Sequence, residues 1–407
     1  MEGKLINKKY ILIKEIGSGM FSSIWLCIDY KNSKYYAMKI INNNDLETGK
    51  NEIEILKKIK KHNCKNTLTF VEHFMFDNTL YIVQNLMACS LDKLIKYQYQ
   101  DGLPENIIIK VYNDIKNALI DLHKLNIMHG DIKPENIFIN GYSIKINNII
   151  NNLKNIKTKN KLLLTNYIKN NLNKKNNKNK EDICDYECSS CSEFDINEDE
   201  INTESDIISE HEDDDDINEE LNNFVDNLND KNIDNKNEIL KKCKNIINDV
   251  QLNNSNFYLG DFGNSIDLNN YDKNCKYSDF QTRYYRAPEI ILRCPKTLKS
   301  DYWALGCTIY ELFTNQILFN PYKSKGISCD KQHLLNIIQF NNIINNNNNN
   351  IINDKLNRKF DIFFIDNNFK YNLPIDKIII SKKITDNKEI YSIIKILINI
   401  DFNKRIF

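Results

Sequence analysis

No run of apolar residues in this chain approaches the length needed to cross a membrane. Its first residues, Met1 to Lys9, also lack the apolar stretch of a secretory signal. The reading is therefore a soluble protein with no membrane partner. There is no excess of either charge, because 55 Lys and Arg balance 55 Asp and Glu. Without a global positive field, direct nucleic-acid binding is not expected. The eleven cysteines show no repeating spacing. They read as reduced thiols, which suits a cytoplasmic and/or nuclear location. Cys184, Cys188 and Cys191 lie close together, but no second Cys/His pair is suitably spaced for zinc.

What is present is an ordinary globular composition, 41% hydrophobic and 27% charged over 407 residues. That length allows two or three domains with a real core. Asn is over-used, with a run from Asn345 to Asn350 expected in a loop. The charge balance also hides an uneven distribution. Between Glu181 and Asp230 there are about twenty Asp and Glu and no Lys or Arg. Such a block stays solvated and is expected to be disordered.

The most chemically dense stretch is His129-Gly130-Asp131-Ile132-Lys133-Pro134-Glu135-Asn136. An acid, a base and an amide within eight residues suit phosphoryl transfer from ATP. Asp131 can orient a hydroxyl and accept its proton. Lys133 can neutralise the migrating phosphoryl group, and Asn136 can offer a carbonyl oxygen to Mg²⁺. A second carboxylate with the same potential is Asp261, in Gly260-Asp261-Phe262-Gly263 at the end of a strand pattern.

Both stretches resemble the eukaryotic protein kinases, whose catalytic loop and Asp-Phe-Gly segment occur in this order. The resemblance implies an α+β, bilobal kinase fold with a small β-rich N-lobe and a larger helical C-lobe. It covers residues 1–146 and 256–407, giving an N-lobe over 1–87 and a C-lobe over 88–146 and 256–407. The acidic and Asn-rich spacer over 147–255 is a long insert in the C-lobe. The cosubstrate and metal implied are ATP and Mg²⁺, and the chain is expected to be a monomer acting on protein substrates.

In chain order, three strands are read from Tyr10 to Ile41. Ile16 leads into Gly17-Ser18-Gly19, where two glycines let backbone amides approach phosphates, and Ile24 follows on the next strand. The kinase pattern has a third glycine where this chain has Ser22. Ala37 and Lys39 lie on an apolar strand, and the resemblance makes Lys39 the partner of the α- and β-phosphates. Glu52 or Glu54 is the candidate ion-pair partner of Lys39. Glu52 is preferred because Ile55 and Leu56 place it beside the inward helix face. The strand over Leu80–Met87 runs into the hinge. The resemblance implies that backbone groups near Asn85 and Met87 there read adenine, with Gln84 at the back of the pocket.

A strand at Ile137–Ile139, a turn at Asn140-Gly141 and a strand at Tyr142–Ile146 read as a hairpin. After the insert, the activation segment runs from Asp261 to Glu289. The resemblance assigns Thr282 a hydrogen bond to the catalytic Asp and Lys, and pairs Arg405 with Glu289. A final helix is expected to be missing or truncated after Phe407. Arg286 before Ala287-Pro288-Glu289 marks the branch with cyclin-dependent, MAP, dual-specificity Tyr-regulated and SR-protein kinases, called CMGC. Phe21 to Cys27, Asp261 to Ser265 and Gln281-Thr282-Arg283 resemble SR-protein kinases most. That likeness implies Arg/Ser-rich substrates, although Cys329 to His333 keeps only Asp330 where an acidic docking surface is expected. Gly130 stands where many kinases have a phosphate-gripping Arg, so an activation segment ordered without phosphorylation is expected. Asp279 is placed within reach of Arg283 or Arg286. A silent pseudokinase scaffold that binds basic partners through the acidic spacer is the rival, but it would be expected to lack Lys39, Asp131, Asn136 or Asp261. All four are present.

Overall fold

The computed structural model describes residues 1–19, 22–42, 45–154, 165, 168, 246–270, 280–322, 328–344 and 380–407. The first part is a six-stranded antiparallel sheet in the order β1-β2-β3-β4-β6-β5. Its strands are β1 (Leu5–Ile6), β2 (Tyr10–Gly19), β3 (Ser22–Asp29), β4 (Lys34–Ile41), β5 (Phe70–Phe76) and β6 (Thr79–Asn85). The three strands expected between Tyr10 and Ile41 are all present.

Strand periodicity sends alternate residues to opposite faces. Tyr10 and Leu12 join Trp25, Cys27, Met38, Tyr81 and Val83 in one apolar layer. Ile11 and Ile13 join Leu26 and Ile28 in the other. Helix α1 (Leu46–His62) buries Ile53, Leu56 and Ile59 against Ile41, Leu80 and Ile82. Gly49 makes this approach possible, because a Cβ there would sit 2.8 Å from Leu80 Cδ2.

The second part is helical. α2 (Leu91–Tyr97) and α3 (Glu105–Lys124) follow the hinge, as their apolar spacing predicts. The helix Lys299–Thr314 is buried at nearly every position, including Trp303, so it forms the middle of this part rather than a surface.

The segment after the catalytic loop departs from expectation. Ile137–Ile139 is a strand, but it pairs antiparallel with Phe257–Leu259 from beyond the insert. The expected strand Tyr142–Ile146 is instead the start of a helix, Ile144–Lys154. Its Ile146, Ile150 and Leu153 recur at helical spacing and pack on Ile11, Ile13, Leu26 and Ile28 of the sheet. A short apolar run reads equally as strand or helix; burial of a stripe on the N-lobe decides it.

The insert boundaries move accordingly. Residues 147–154 are helical, and Asp249–Asn254 forms another helix capped by Asn248. Gln98 accepts from the Ile246 and Ile247 amides, and its Nε2 donates to Ile247 O at 2.8 Å. The spacer therefore begins and ends in ordered, packed structure rather than at 147 and 255. The acidic block, Cys184, Cys188 and Cys191, and the Asn345–Asn350 run lie outside the described residues. Replacing residues 171–243 with a short Gly/Ser linker should leave the thermal melt cooperative and shift it by only a few degrees. A shorter closed loop has a slightly smaller entropic cost. Loss of the cooperative transition in calorimetry would contradict this.

Candidate active site

The catalytic loop is held by a buried carboxylate from another element. Asp301, in the first turn of Lys299–Thr314 and fully buried, accepts from the backbone N–H of His129 (2.9 Å) and Gly130 (3.0 Å). His123 Nε2 lies 2.9 Å from the same carboxylate. These bonds fix the loop as it turns through Gly130, whose φ is +79°.

Asp131 emerges from that turn, and Thr282 Oγ1 donates to its Oδ1 at 2.6 Å. Lys133 Nζ donates to Thr282 Oγ1 at 3.0 Å and lies 3.1 Å from Asp131 Oδ2. Acid, ammonium and hydroxyl thus form one connected group, bringing Asp131, Lys133 and Thr282 together as expected. Asn136 Nδ2 donates to Asp131 O (2.8 Å) and Oδ2 (3.2 Å). With its nitrogen used in this way, the Asn136 side chain has its carbonyl oxygen left for a cation.

The second half of the site is tied to the first through the backbone. Gly260 N donates to Asn136 O at 2.9 Å, and His129 Nε2 lies 3.0 Å from Gly260 O. Asp261 follows in a left-handed conformation, φ +59°, while buried Phe262 packs edge-on against His129. This turns the Asp261 carboxylate onto Lys39 Nζ at 2.8 Å. Lys39 also meets Glu52 at 2.9 Å, so of the two acids on α1 it is Glu52 that pairs. Lys39 holds the Asp261 carboxyl down, against the opposing effect of burial, to about 2. Burial works against the Lys39 charge, but Asp261 and Glu52 outweigh it and hold the ammonium above its ordinary value.

The side chain of Asp261 is 46% exposed, which leaves a carboxylate face open to a cation. A carboxylate and an amide oxygen are the hard donors that Mg²⁺ takes, so the residues present fit that ion.

The expected nucleotide cleft lies over one face of the sheet. Ala37, Lys39, Ile82 and Gln84 share that face, because Ala37 is paired with Gln84 and Lys39 with Ile82. Gln84 is buried, and its Nε2 has no hydrogen-bond partner among the described residues. Gly17 pairs with Ile24, Ser18 with Ser23 and Gly19 with Ser22, so Gly17 to Gly19 and Ile24 lie at the turn end of the β2–β3 hairpin, with Ile16 at the register shift just before them. Its tip, Met20 and Phe21, lies outside the described residues. Asn85 is exposed at the end of β6, and Met87 is half-buried just beyond it.

The model of the protein kinase domain matches residues 10–236 and 240–407. The chain belongs to the protein kinase family. Among its relatives is a candidate serine/threonine-protein kinase of Acanthamoeba polyphaga mimivirus, 30% identical over 82% of this chain and 72% of that protein. The serine/threonine-protein kinase prp4 of Schizosaccharomyces pombe is 23% identical over 77% of this chain and 43% of its own length. Dual specificity tyrosine-phosphorylation-regulated kinase 3 of Rattus norvegicus is 30% identical over 78% of this chain and 36% of its own length. These relatives are consistent with the CMGC branch, and the chain spans less than half the length of the last two.

Several contacts in the kinase were not legible beforehand. Asn264 Nδ2 reaches Asp131 Oδ2 at 3.4 Å, a weak contact from just after Asp-Phe-Gly. Arg283 pairs at 2.9 Å with Asp330, from the helix Cys329–Ile344, and Arg286 lies 3.9 Å from the same carboxylate. The expected partner Asp279 lies outside the described residues, as do Tyr277 and Ser278. Arg405 and Glu289 meet as expected, in a bidentate pair at 2.6 and 2.9 Å.

Tyr285 of the activation segment donates to Glu311 Oε2 at 2.5 Å. Burial pushes the Glu311 carboxyl up to about 8; nearby Glu135 and Asp92 add to this and the tyrosine bond opposes it. The sign follows directly. An acid whose folded value lies above its unfolded one of about 4.3 takes up a proton on folding between the two. Its contribution to stability is fully present below the unfolded value and is lost as pH rises through about 8. Glu311→Gln keeps the amide oxygen for Tyr285 and removes the titration. The variant should therefore lose less stability than wild type between pH 6 and pH 9, as read by urea midpoints. Parallel pH profiles would show Glu311 to be ionised in the fold.

Proposed function

We propose that this chain is an active serine/threonine protein kinase, transferring the γ-phosphoryl group of ATP to Ser or Thr of protein substrates. The observation that carries the reading is the simultaneous assembly of both halves of the site. Lys39 bridges Glu52 and Asp261, while Asp131, Lys133 and Thr282 form one hydrogen-bonded group. Asp131 orients the substrate hydroxyl and accepts its proton, and Lys133 neutralises charge on the transferred group. Lys39 aligns the α- and β-phosphates under Gly17, Ser18 and Gly19. Ala37, Gln84, Asn85 and Met87 enclose the adenine. Mg²⁺, held by Asn136 and Asp261, would neutralise the phosphate oxygens.

The silent scaffold is disfavoured, since every ionisable group of the site is in place and paired. Arg/Ser-rich substrates rest on the SR-protein-kinase likeness. Asp330, the one acid kept in the docking stretch, is already engaged by Arg283, which argues for a broader substrate range.

The test is full-length protein with Mg²⁺, labelled ATP and a mixed pool of Arg-Ser and Ser-Pro peptides. Label on Ser or Thr is expected. Nucleotide binding without transfer to any peptide would overturn the reading in favour of the scaffold.

A further inference from the structure

Gly130 faces an aromatic side chain that leaves no room for any other residue. A Cβ at this position would lie 2.4 Å from Phe280 Cζ, 2.7 Å from Phe280 Cε2 and 2.9 Å from Asn264 O. Contacts under 3 Å cannot be accommodated without moving the ring or the loop. Phe280, two residues before Thr282 on the activation segment, is 8% exposed, and Lys296 Nζ lies 4.1 Å above its ring.

The residue after it is also held. Gln281 has φ +65°, an uncommon conformation for a side-chain-bearing residue. Its Oε1 accepts from Ala287 N at 3.0 Å, its Nε2 donates to Ser300 O at 3.2 Å, and its carbonyl accepts from Arg286. Thr282 then reaches Asp131. The segment is thus fastened at three successive residues, and the first fastening is the ring over Gly130.

We propose that Phe280 is a positioning residue for Asp131, acting as an apolar plug in a socket that only glycine at 130 can form. Resting on the kinase reading, this assigns Phe280 the task of registering Thr282 against Asp131. The fastening is a packing contact, which needs no phosphate on the activation segment and no cation at position 130. Its strength comes from burying a ring already in contact with both segments. Loss of the ring should let the Thr282–Asp131 register drift, and a misplacement of about 1 Å costs on the order of 100-fold in rate.

The experiment is a double-mutant cycle on full-length protein with Gly130→Ala and Phe280→Ala, read by kcat, by KM for ATP and by hydrogen exchange at the Gly130 and Asp131 amides. Phe280→Ala should lower kcat by roughly 10- to 100-fold with KM for ATP within about twofold. Phe280→Leu should recover part of the loss. Gly130→Ala alone should be severe, because the left-handed backbone strain and the ring clash act together. In the Phe280→Ala background its further cost should shrink by about tenfold, the strain cancelling around the cycle. Both single variants should speed exchange at the two amides, a readout that stands even if turnover is absent.

Wild-type protein made without other kinases should keep its kcat after phosphatase treatment. Additive Gly130 and Phe280 effects, unchanged exchange, or a phosphatase loss that phosphorylation at Tyr277, Ser278 or Thr282 restores would each overturn the plug. A wild-type protein with no transfer but normal coupling in exchange would overturn the kinase reading alone.

Discussion

Asp131→Asn should bind ATP with wild-type affinity and lose about 10²- to 10⁴-fold in kcat. The substitution is nearly isosteric, so the loop bonds from Asp301 to His129 and Gly130 remain. What changes is the set of donors pointing at residue 131. Thr282 Oγ1, Asn136 Nδ2 and Lys133 Nζ all direct hydrogens at the carboxylate. An amide must turn one NH₂ towards at least one of them, and it cannot take the substrate's proton. Lys39, Glu52 and the hairpin over the cleft are untouched, which is why the loss should fall on turnover alone. Nucleotide titration beside steady-state transfer to the preferred peptide makes the comparison. Near-normal transfer by this variant would remove Asp131 from the role of base.

The largest effect on stability is expected at Arg405. It is fully buried with Glu289, and its guanidinium also lies 4.9 Å from the Trp303 ring centre. Arg405 Nε donates to Asn399 O at 2.7 Å, so the pair also ties the last described residues to the middle of the helical part. Arg405→Met would leave the Glu289 carboxylate with only Ser300 Oγ, at 2.7 Å, as a side-chain donor among the described residues. A buried charge stripped of its partner typically costs about 3–5 kcal/mol. The urea midpoint should fall accordingly with the slope unchanged. Adding Glu289→Leu should recover much of the loss, because the cost lies in the orphaned charge rather than in the missing bond. A single variant within about 0.5 kcal/mol of wild type, the usual range for exposed sites, would show that water reaches the pair.

Much of the site could be read from the chain because its chemistry sits in short, contiguous stretches. His129 to Asn136 carries three functional side chains within eight residues, and Gly260 to Gly263 carries a fourth. The preference for Glu52 over Glu54 was also legible, since helical spacing makes only one of them face inward. The pairing of Glu289 with Arg405 was legible only through resemblance, as no local pattern links residues 116 apart.

Where sequence reading failed, the deciding contact came from far along the chain. Tyr142–Ile146 offered no period long enough to separate strand from helix. The partner that the hairpin required was supplied instead by Phe257–Leu259, beyond the insert. The stripe of Ile146, Ile150 and Leu153 became meaningful only against Ile11 and Leu26. Asp330, on a distant helix, meets Arg283, a contact that no local pattern announces.

The sequence by itself determined the acid, ammonium and amide of the site and, through its resemblance to the protein kinases, the fold class. The site residues lie a few positions apart in short contiguous stretches, and the resemblance rests on those same stretches. Only the tertiary structure decided the helix at Ile144–Lys154, the use of Asp330 as a counter-charge and the seat of Phe280 over Gly130. A glycine's missing Cβ matters only when another segment occupies its place, and no one-dimensional pattern records which segment that is.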